Sequence, residues 1–150
     1  MKYIFVLLMA TTNMTIVQGQ AAEDSVKTIV NKLFDAMRNA DTELLKSVFS
    51  ETAILQTIGT GQDGAATIKN EAPSEFIDFV SKLAKGVADE RIIFETIRID
   101  GPLALVWAPY KFFYKGTFSH CGVDSFQLVR MNGGWKIQYL IDTRRKTGCE

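Results

Sequence analysis

Apolar residues recur at helical spacing early in the chain. Val26, Ile29, Val30, Leu33, Phe34 and Met37 follow the i, i+3, i+4, i+7 rule and make one stripe. Ser25 is placed to open this helix, with Glu23 and Asp24 near its positive end. Asn39-Ala40-Asp41 breaks the period, and Asp41 can cap a short second helix that buries Leu44, Leu45, Val48 and Phe49. Residues 52–58 read as a short strand. The glycine-rich segment from Gly59 to Thr67 lacks the Gly-Lys-Ser/Thr ending and the following helix of a phosphate cradle, so it reads as a mobile loop or lid. Pro73 and Ser74 then start a third helix carrying Phe76, Ile77, Phe79, Val80 and Leu83, with Gly86 suited to stop it.

From Arg91 onward the period changes to two. Arg91 to Asp100 alternates as one strand, and Asp100-Gly101-Pro102 turns it into the apolar run Leu103–Lys115. There Ala104, Val106, Ala108, Tyr110 and Phe112 share one face, while Leu105, Trp107 and Phe113 share the other. A strand with one wet face would alternate more cleanly, so the second face is expected to meet a partner sheet in a homodimer. Pro109 cannot donate to a ladder and predicts a bulge or an edge at that point. Lys115-Gly116-Thr117 and Asn132-Gly133-Gly134 mark two further turns, which makes three consecutive antiparallel strands. A turn at Asn132-Gly133 sets Phe126 opposite Tyr139 and Asp124 opposite Ile141, and a turn at Gly133-Gly134 shifts that register.

The segments Val-Trp-Ala-Pro-Tyr (106–110), Ser-His-Cys-Gly-Val-Asp-Ser-Phe-Gln-Leu (119–128), Gly-Trp-Lys-Ile (134–137) and Asp-Thr-Arg-Arg (142–145) carry a family resemblance. With helices preceding meandering strands, the order resembles the nuclear transport factor 2-like (SnoaL-like) superfamily, in the branch described as putative lumazine-binding. The resemblance covers roughly residues 25–145. It implies an α+β, cone-shaped fold in which three N-terminal helices pack on a curved antiparallel sheet, with a ligand or active-site cavity between the layers. It implies a dimer as well. The lumazine-binding label suggests a pteridine, although no residue pattern demands one. The chemistry varies widely across such a superfamily.

Composition limits the partners. At 150 residues one domain is expected, over residues 20–150. The 17 basic and 17 acidic residues leave no electrostatic case for nucleic acid or an anionic membrane. Lys2 followed by a short apolar run and small residues before Gln20 reads as a secretory leader over residues 1–19. Cleavage is expected after Gly19, with Ala21 or Ala22 as alternatives, leaving a secreted or periplasmic protein without a membrane anchor. In an oxidising compartment Cys121 and Cys149 can pair, since the hairpin brings Cys121 near Arg144 and a short return of the tail suffices. Two free thiols fit the spacing equally.

The candidate chemistry is sparse. His120, the single histidine, precedes Asp124 by four positions, so the two share a strand face. They form either an acid–base pair or a surface histidine beside a salt-linked aspartate. Asp142 and Arg144 also share a face, with Lys136, Gln138 and Leu140. They read either as a carboxylate or proton site or as an ion-paired strand end. Trp107, Tyr110, Phe112, Tyr114 and Tyr139 could line a cavity for a flat ligand or simply fill the core and dimer interface, with Tyr110 a candidate electrophile. No residues have metal-ligand spacing, and no cofactor is expected. The first reading is an exported, homodimeric small-molecule-binding domain with Arg144 and the aromatics around the ligand. The second is a cofactor-free isomerase, dehydratase or cyclase using His120, Asp124 or Asp142. The third is an interaction module with a filled core.

Overall fold

The computed structural model describes residues 12–149. Residues 1–11 of the expected leader lie outside the described residues, and the expected cleavage point after Gly19 falls within the first helix. Helix α1 (Thr12–Asn39) does not begin at Ser25 but runs through it. Nothing from Gln20 to Asp24 breaks a helix, and the Ser25 hydroxyl donates to the Ala22 carbonyl instead of capping. The apolar stripe is buried as the spacing predicts, with Val26, Val30, Leu33, Phe34 and Met37 all in the core. Ala40, with φ of 54°, reverses the chain, and the Asp41 carboxylate accepts from the Leu44 N–H at 3.0 Å to start α2 (Thr42–Val48).

Strand β1 (Phe49–Thr60) is longer than its apolar core suggests. The glycine-rich segment is not a lid. It is the tight turn of a hairpin that returns as β2 (Ala66–Glu71), in register from Leu55↔Glu71 to Thr60↔Ala66. β2 is an edge strand exposed along nearly its whole length, so its sequence carries no apolar alternation to read. Helix α3 (Pro73–Ser81) follows, with Pro73 in the first turn, the Glu75 carboxylate accepting from the Ala72 N–H, and Val80 fully buried.

The strand expected over residues 91–100 is two strands, β3 (Ala88–Ile92) and β4 (Thr96–Asp100), both antiparallel to one side of β5 (Leu103–Tyr114). Their break lies opposite Pro109. The Pro109 carbonyl accepts from the Ile93 N–H on that side, so its nitrogen faces the same neighbour with nothing to donate. β6 (Thr117–Met131) and β7 (Gly134–Thr143) complete the meander through turns at Lys115-Gly116 and Asn132-Gly133. The sheet order is β2-β1-β7-β6-β5-β3, with β4 also on β5. The β1–β7 pair is parallel, which makes the curved sheet mixed and not wholly antiparallel.

The register beyond the last turn differs by one from that expected of a regular hairpin. Met131 pairs with Gly134, and Leu128 with Ile137, yet Gln127 pairs with Tyr139, leaving Gln138 as an extra residue. Asp124 consequently faces Asp142, not Ile141, and Phe126 faces Leu140, not Tyr139. Gln138 is held by β1: its amide donates to the Thr52 carbonyl at 2.9 Å and it accepts from the Ser50 hydroxyl at 2.7 Å. β1 has its own irregularity opposite, between Phe49 and Ile54.

That single bulge decides which residues face the helices. Trp135 and Ile137 point into the core, and strict alternation would continue with Tyr139, Ile141 and Thr143. After the bulge, Leu140, Asp142 and Arg144 face inward instead. Lys136 and Gln138 therefore do not share the wall formed by those three. Cys121 forms a bridge with Arg145, and a disulfide joins Cys121 to Cys149, with a Cα separation of 5.7 Å.

Candidate functional site

Where the inner face of β5, β6 and β7 runs past the apolar core, it opens a cavity of about 70 Å³, room for a few waters or the head of a ligand. Leu33, Phe34 and Met37 of α1, Phe76 of α3, Leu55 of β1 and Leu140 of β7 form its apolar wall. Its polar wall comes from Glu90 of β3, Tyr110 of β5, His120 and Asp124 of β6, and Asp142 with Arg144 at the end of β7.

Asp142 is fully engaged. One of its oxygens accepts from the Thr57 hydroxyl at 2.6 Å. The other accepts from Arg144 Nε at 2.8 Å and lies 3.1 Å from the Tyr110 hydroxyl. The single phenolic proton of Tyr110 is shared between this carboxylate and the Thr143 carbonyl at 2.9 Å. Arg144 Nη2 donates back to Thr57 at 3.0 Å, which closes the network. Burial opposes the Arg144 charge, but the hydrogen bond and the charge of Asp142 outweigh it and hold the guanidinium ionised. Burial, followed by the surrounding carboxylates, raises the Tyr110 hydroxyl above its ordinary range, so it stays protonated.

Gly122 makes the close approach possible. A Cβ there would lie 1.7 Å from the Thr143 carbonyl oxygen and 2.7 Å from the Tyr110 ring. Only a hydrogen fits between these strands, and the Tyr110 hydroxyl reaches Thr143 because of it.

Asp124 stands in a different condition. It is 3% exposed, and its Oδ2 has no hydrogen-bond partner. The neighbouring ionisable group is Glu90, which the sequence reading missed. Burial, opposed by contact with Asp124, pushes the Glu90 carboxyl up to about 7. Burial and the charge of Glu90 raise Asp124 well above the carboxylate range. Two carboxylates cannot hydrogen-bond to each other, so the facing pair holds a proton. The signal for Glu90 lies in the alternation Ala88-Glu90-Ile92, a charged position bracketed by two inward apolar ones once the strand is begun at Ala88.

His120 and Asp124 line the same cavity, as their shared strand face predicts, but they are not a hydrogen-bonded dyad. The imidazole lies perpendicular to Tyr110 at 5.8 Å and tilted against Phe112 at 5.0 Å, with Nδ1 3.0 Å from the Ser119 hydroxyl. Burial, then the Arg144 charge, lowers its affinity for a proton. Of the remaining candidates, Phe112 supports the cavity from behind His120. Trp107 is 43% exposed on the opposite face of β5, and Tyr114 is exposed at the strand end. Tyr139 is turned away from the cavity by the Gln138 bulge, and its hydroxyl donates to Gln56 Oε1 at 2.5 Å. Among the described residues, no group of three or more His, Cys, Asp or Glu side chains is arranged to hold a metal ion.

Comparison with known proteins places this geometry. The chain belongs to the family described as "Putative lumazine-binding", which it matches over residues 21–139. No curated protein matches it. Among solved structures it is similar to an NTF2-like protein of unknown function from Shewanella baltica, with 15% identity over 83% of this chain and 94% of that one, at a TM-score of 0.64. A protein from Planctomyces limnophilus is 18% identical over 84% and 98% of the two chains, with a TM-score of 0.65. A putative dehydratase of the NTF2-like family from Streptomyces avermitilis is 14% identical over 85% and 98%, with a TM-score of 0.61. At these identities the likeness fixes the fold alone, and the fold is nuclear transport factor 2-like.

Proposed function

We propose that this chain is an exported, homodimeric small-molecule-binding domain whose ligand enters the cavity between α1, α3 and the polar end of the sheet. The observation that carries the reading is the Asp124 carboxyl, buried beside Glu90 on the cavity wall, whose Oδ2 meets no donor apart from the proton the two carboxyls share. A single shared proton leaves the two buried carboxyls short of donors, and a bound molecule that donates to Asp124 supplies one. The family description supports a flat heterocycle such as a pteridine as one ligand class. Leu103, Leu105 and Trp107, 37–48% exposed on the outer face of β5, form an apolar strip of the kind a dimer covers. The cysteine pair and the leader-like residues 1–19 support export. Among the described residues no helix is long and apolar enough to cross a membrane.

Native mass spectrometry of the exported protein tests this reading. A dimer carrying a discrete extra mass, lost in a variant with Phe34→Trp filling the cavity, is the expected outcome. An empty monomer whose melting temperature no small-molecule collection shifts would sink it.

A second reading has its own support. A carboxyl pair in which Glu90 is pushed up to about 7 and Asp124 well above the carboxylate range, beside a neutral imidazole and a protonated tyrosine, is suited to moving a proton on and off a bound substrate. That is the equipment of a cofactor-free isomerase, dehydratase or cyclase, with Asp124 and Glu90 as acid and base and Tyr110 as electrophile. Turnover that survives Asp124→Asn would exclude this assignment.

A further inference from the structure

We infer that the ligand carries a basic nitrogen head group, an amine or amidine, and that the facing carboxyls of Glu90 and Asp124 are its anchor. The inference rests on the cavity reading above and adds the ligand's chemistry to it.

Charge balance and valence decide the ligand class. Of the polar groups in the cavity, Asp142 has both oxygens occupied by Thr57, Tyr110 and Arg144. Arg144, the cation in the lining, donates Nε to Asp142 and Nη2 to Thr57, and the Asp142 carboxylate balances its charge. An anionic ligand would therefore meet four carboxyls, Glu71, Glu90, Asp124 and Asp142, against a single guanidinium whose charge Asp142 already balances. A wholly apolar ligand would fill the space and give Asp124 Oδ2 no donor beyond the proton shared with Glu90. An ammonium or amidinium brings several N–H donors and the missing positive charge, and a planar amidinium can bridge two carboxyl oxygens at once. The apolar wall of Leu33, Phe34, Met37 and Leu55 then receives the rest of the molecule.

Binding of such a cation requires the carboxyl pair to give up its proton. Around the pair, β2 contributes Glu71, β5 Tyr110, β6 His120, and β7 with its extension Asp142 and Arg144. The lining residues of α1 and α3 are apolar. Lys146 adds positive charge near His120. Of these groups, Glu90 and Asp124 are the ones whose ionisation a bound cation favours, so binding strengthens as pH rises through neutrality.

Three isosteres separate the possibilities: benzamidine, benzamide and benzoate, titrated by calorimetry into the full ligand-free chain. Benzamidine should bind at least roughly tenfold more tightly than either of the others at about pH 8, and weaken severalfold at about pH 6. In two buffers of different ionisation heat, its binding should release protons. Asp124→Asn, shown to be folded by its melting curve, should lose roughly tenfold for benzamidine. Equal or tighter binding of benzamide or benzoate, or benzamidine binding indifferent to Asp124→Asn, would overturn the head-group assignment while leaving the cavity as a binding site. A folded protein that binds none of the three overturns it as well. The binding reading is then judged separately, by the mass of whatever copurifies.

Discussion

The inner face of β5, β6 and β7 is two different surfaces on one pleat. At one end, Ala104, Val106, Phe126, Leu128 and Ile137 are fully buried in the same core as Val26 and Val30 of α1. Two rungs further along the same strands, the inward positions are Tyr110, Asp124, Asp142 and Arg144. Helix α1 covers both ends, and the Gln138 bulge in β7 lies between them. The dry end is stabilised in proportion to the apolar area it removes from water. The polar end is held by one saturated carboxylate, Asp142, and carries a second, Asp124, buried with no donor except the proton it shares with Glu90. A fold that keeps such a group beside a sound core keeps it for something other than stability.

The comparison breaks most visibly at the dry end. Phe126 is fully buried and meets Phe34 edge-on at a centroid distance of 6.2 Å. Phe126→Ala should therefore lose about 3–5 kcal/mol in urea unfolding. A loss under about 1 kcal/mol would mean that the core relaxes freely into the space and that the dry end is not where stability resides. Because Phe34 also lines the cavity, ligand affinity should fall in the same variant.

Gly122→Ala probes the polar end by geometry, leaving its charges in place. The new methyl would overlap the Thr143 carbonyl and the Tyr110 ring, so β6 and β7 must separate or Tyr110 must leave Asp142. A loss of about 1–3 kcal/mol, read as a lower melting temperature, is expected. An unchanged melting temperature would show that the strands at this end are loosely paired.

Much of this was legible in the sequence, and the rest was hidden for identifiable reasons. The α1 stripe, the Asp41 cap, the turns at Gly101, Gly116 and Asn132-Gly133, and the interruption at Pro109 follow from local chemistry, and local chemistry is what a sequence displays. The inward position of Tyr110 and the shared face of His120 and Asp124 follow from period two. The bulge at Gln138 did not show, because it depends on β1, a strand paired from some 85 residues away. Its consequences are the misassigned Tyr139 and the expected opposition of Asp124 and Ile141, where the structure pairs Asp124 with Asp142. β2 escaped because an exposed edge strand needs no apolar alternation, and Glu90 because its strand begins three residues before the obvious apolar run.

The finest distinction is one of pH, and it separates the polar end from the outer face of β3. Glu90 and its neighbour Asp89 point to opposite sides of β3. Asp89 sits between Arg38 at 2.7 Å and Arg91 at 2.8 Å, and these outweigh its burial and lower its carboxyl. Its contribution to stability is present above the ordinary carboxylate range and is lost as pH falls through that range. Glu90 and Asp124 are raised, so the folded state holds protons that the unfolded chain has released. Their penalty is absent in acid, grows as pH rises past about 4, and is complete only above their folded values, for Glu90 about 7. His120, held neutral in the fold, works in the opposite sense below its ordinary value, so the informative quantity is the difference between proteins. Partial exposure of Glu90 lets solvent soften the effect. Asp124→Asn removes one ionisation and supplies an amide that can donate to Glu90, so it should gain about 1 kcal/mol over wild type near pH 8 and almost nothing near pH 5. Parallel pH profiles for the two proteins would mean that the Asp124 carboxyl is already satisfied in solution, and the polar end would then be as settled as the dry one.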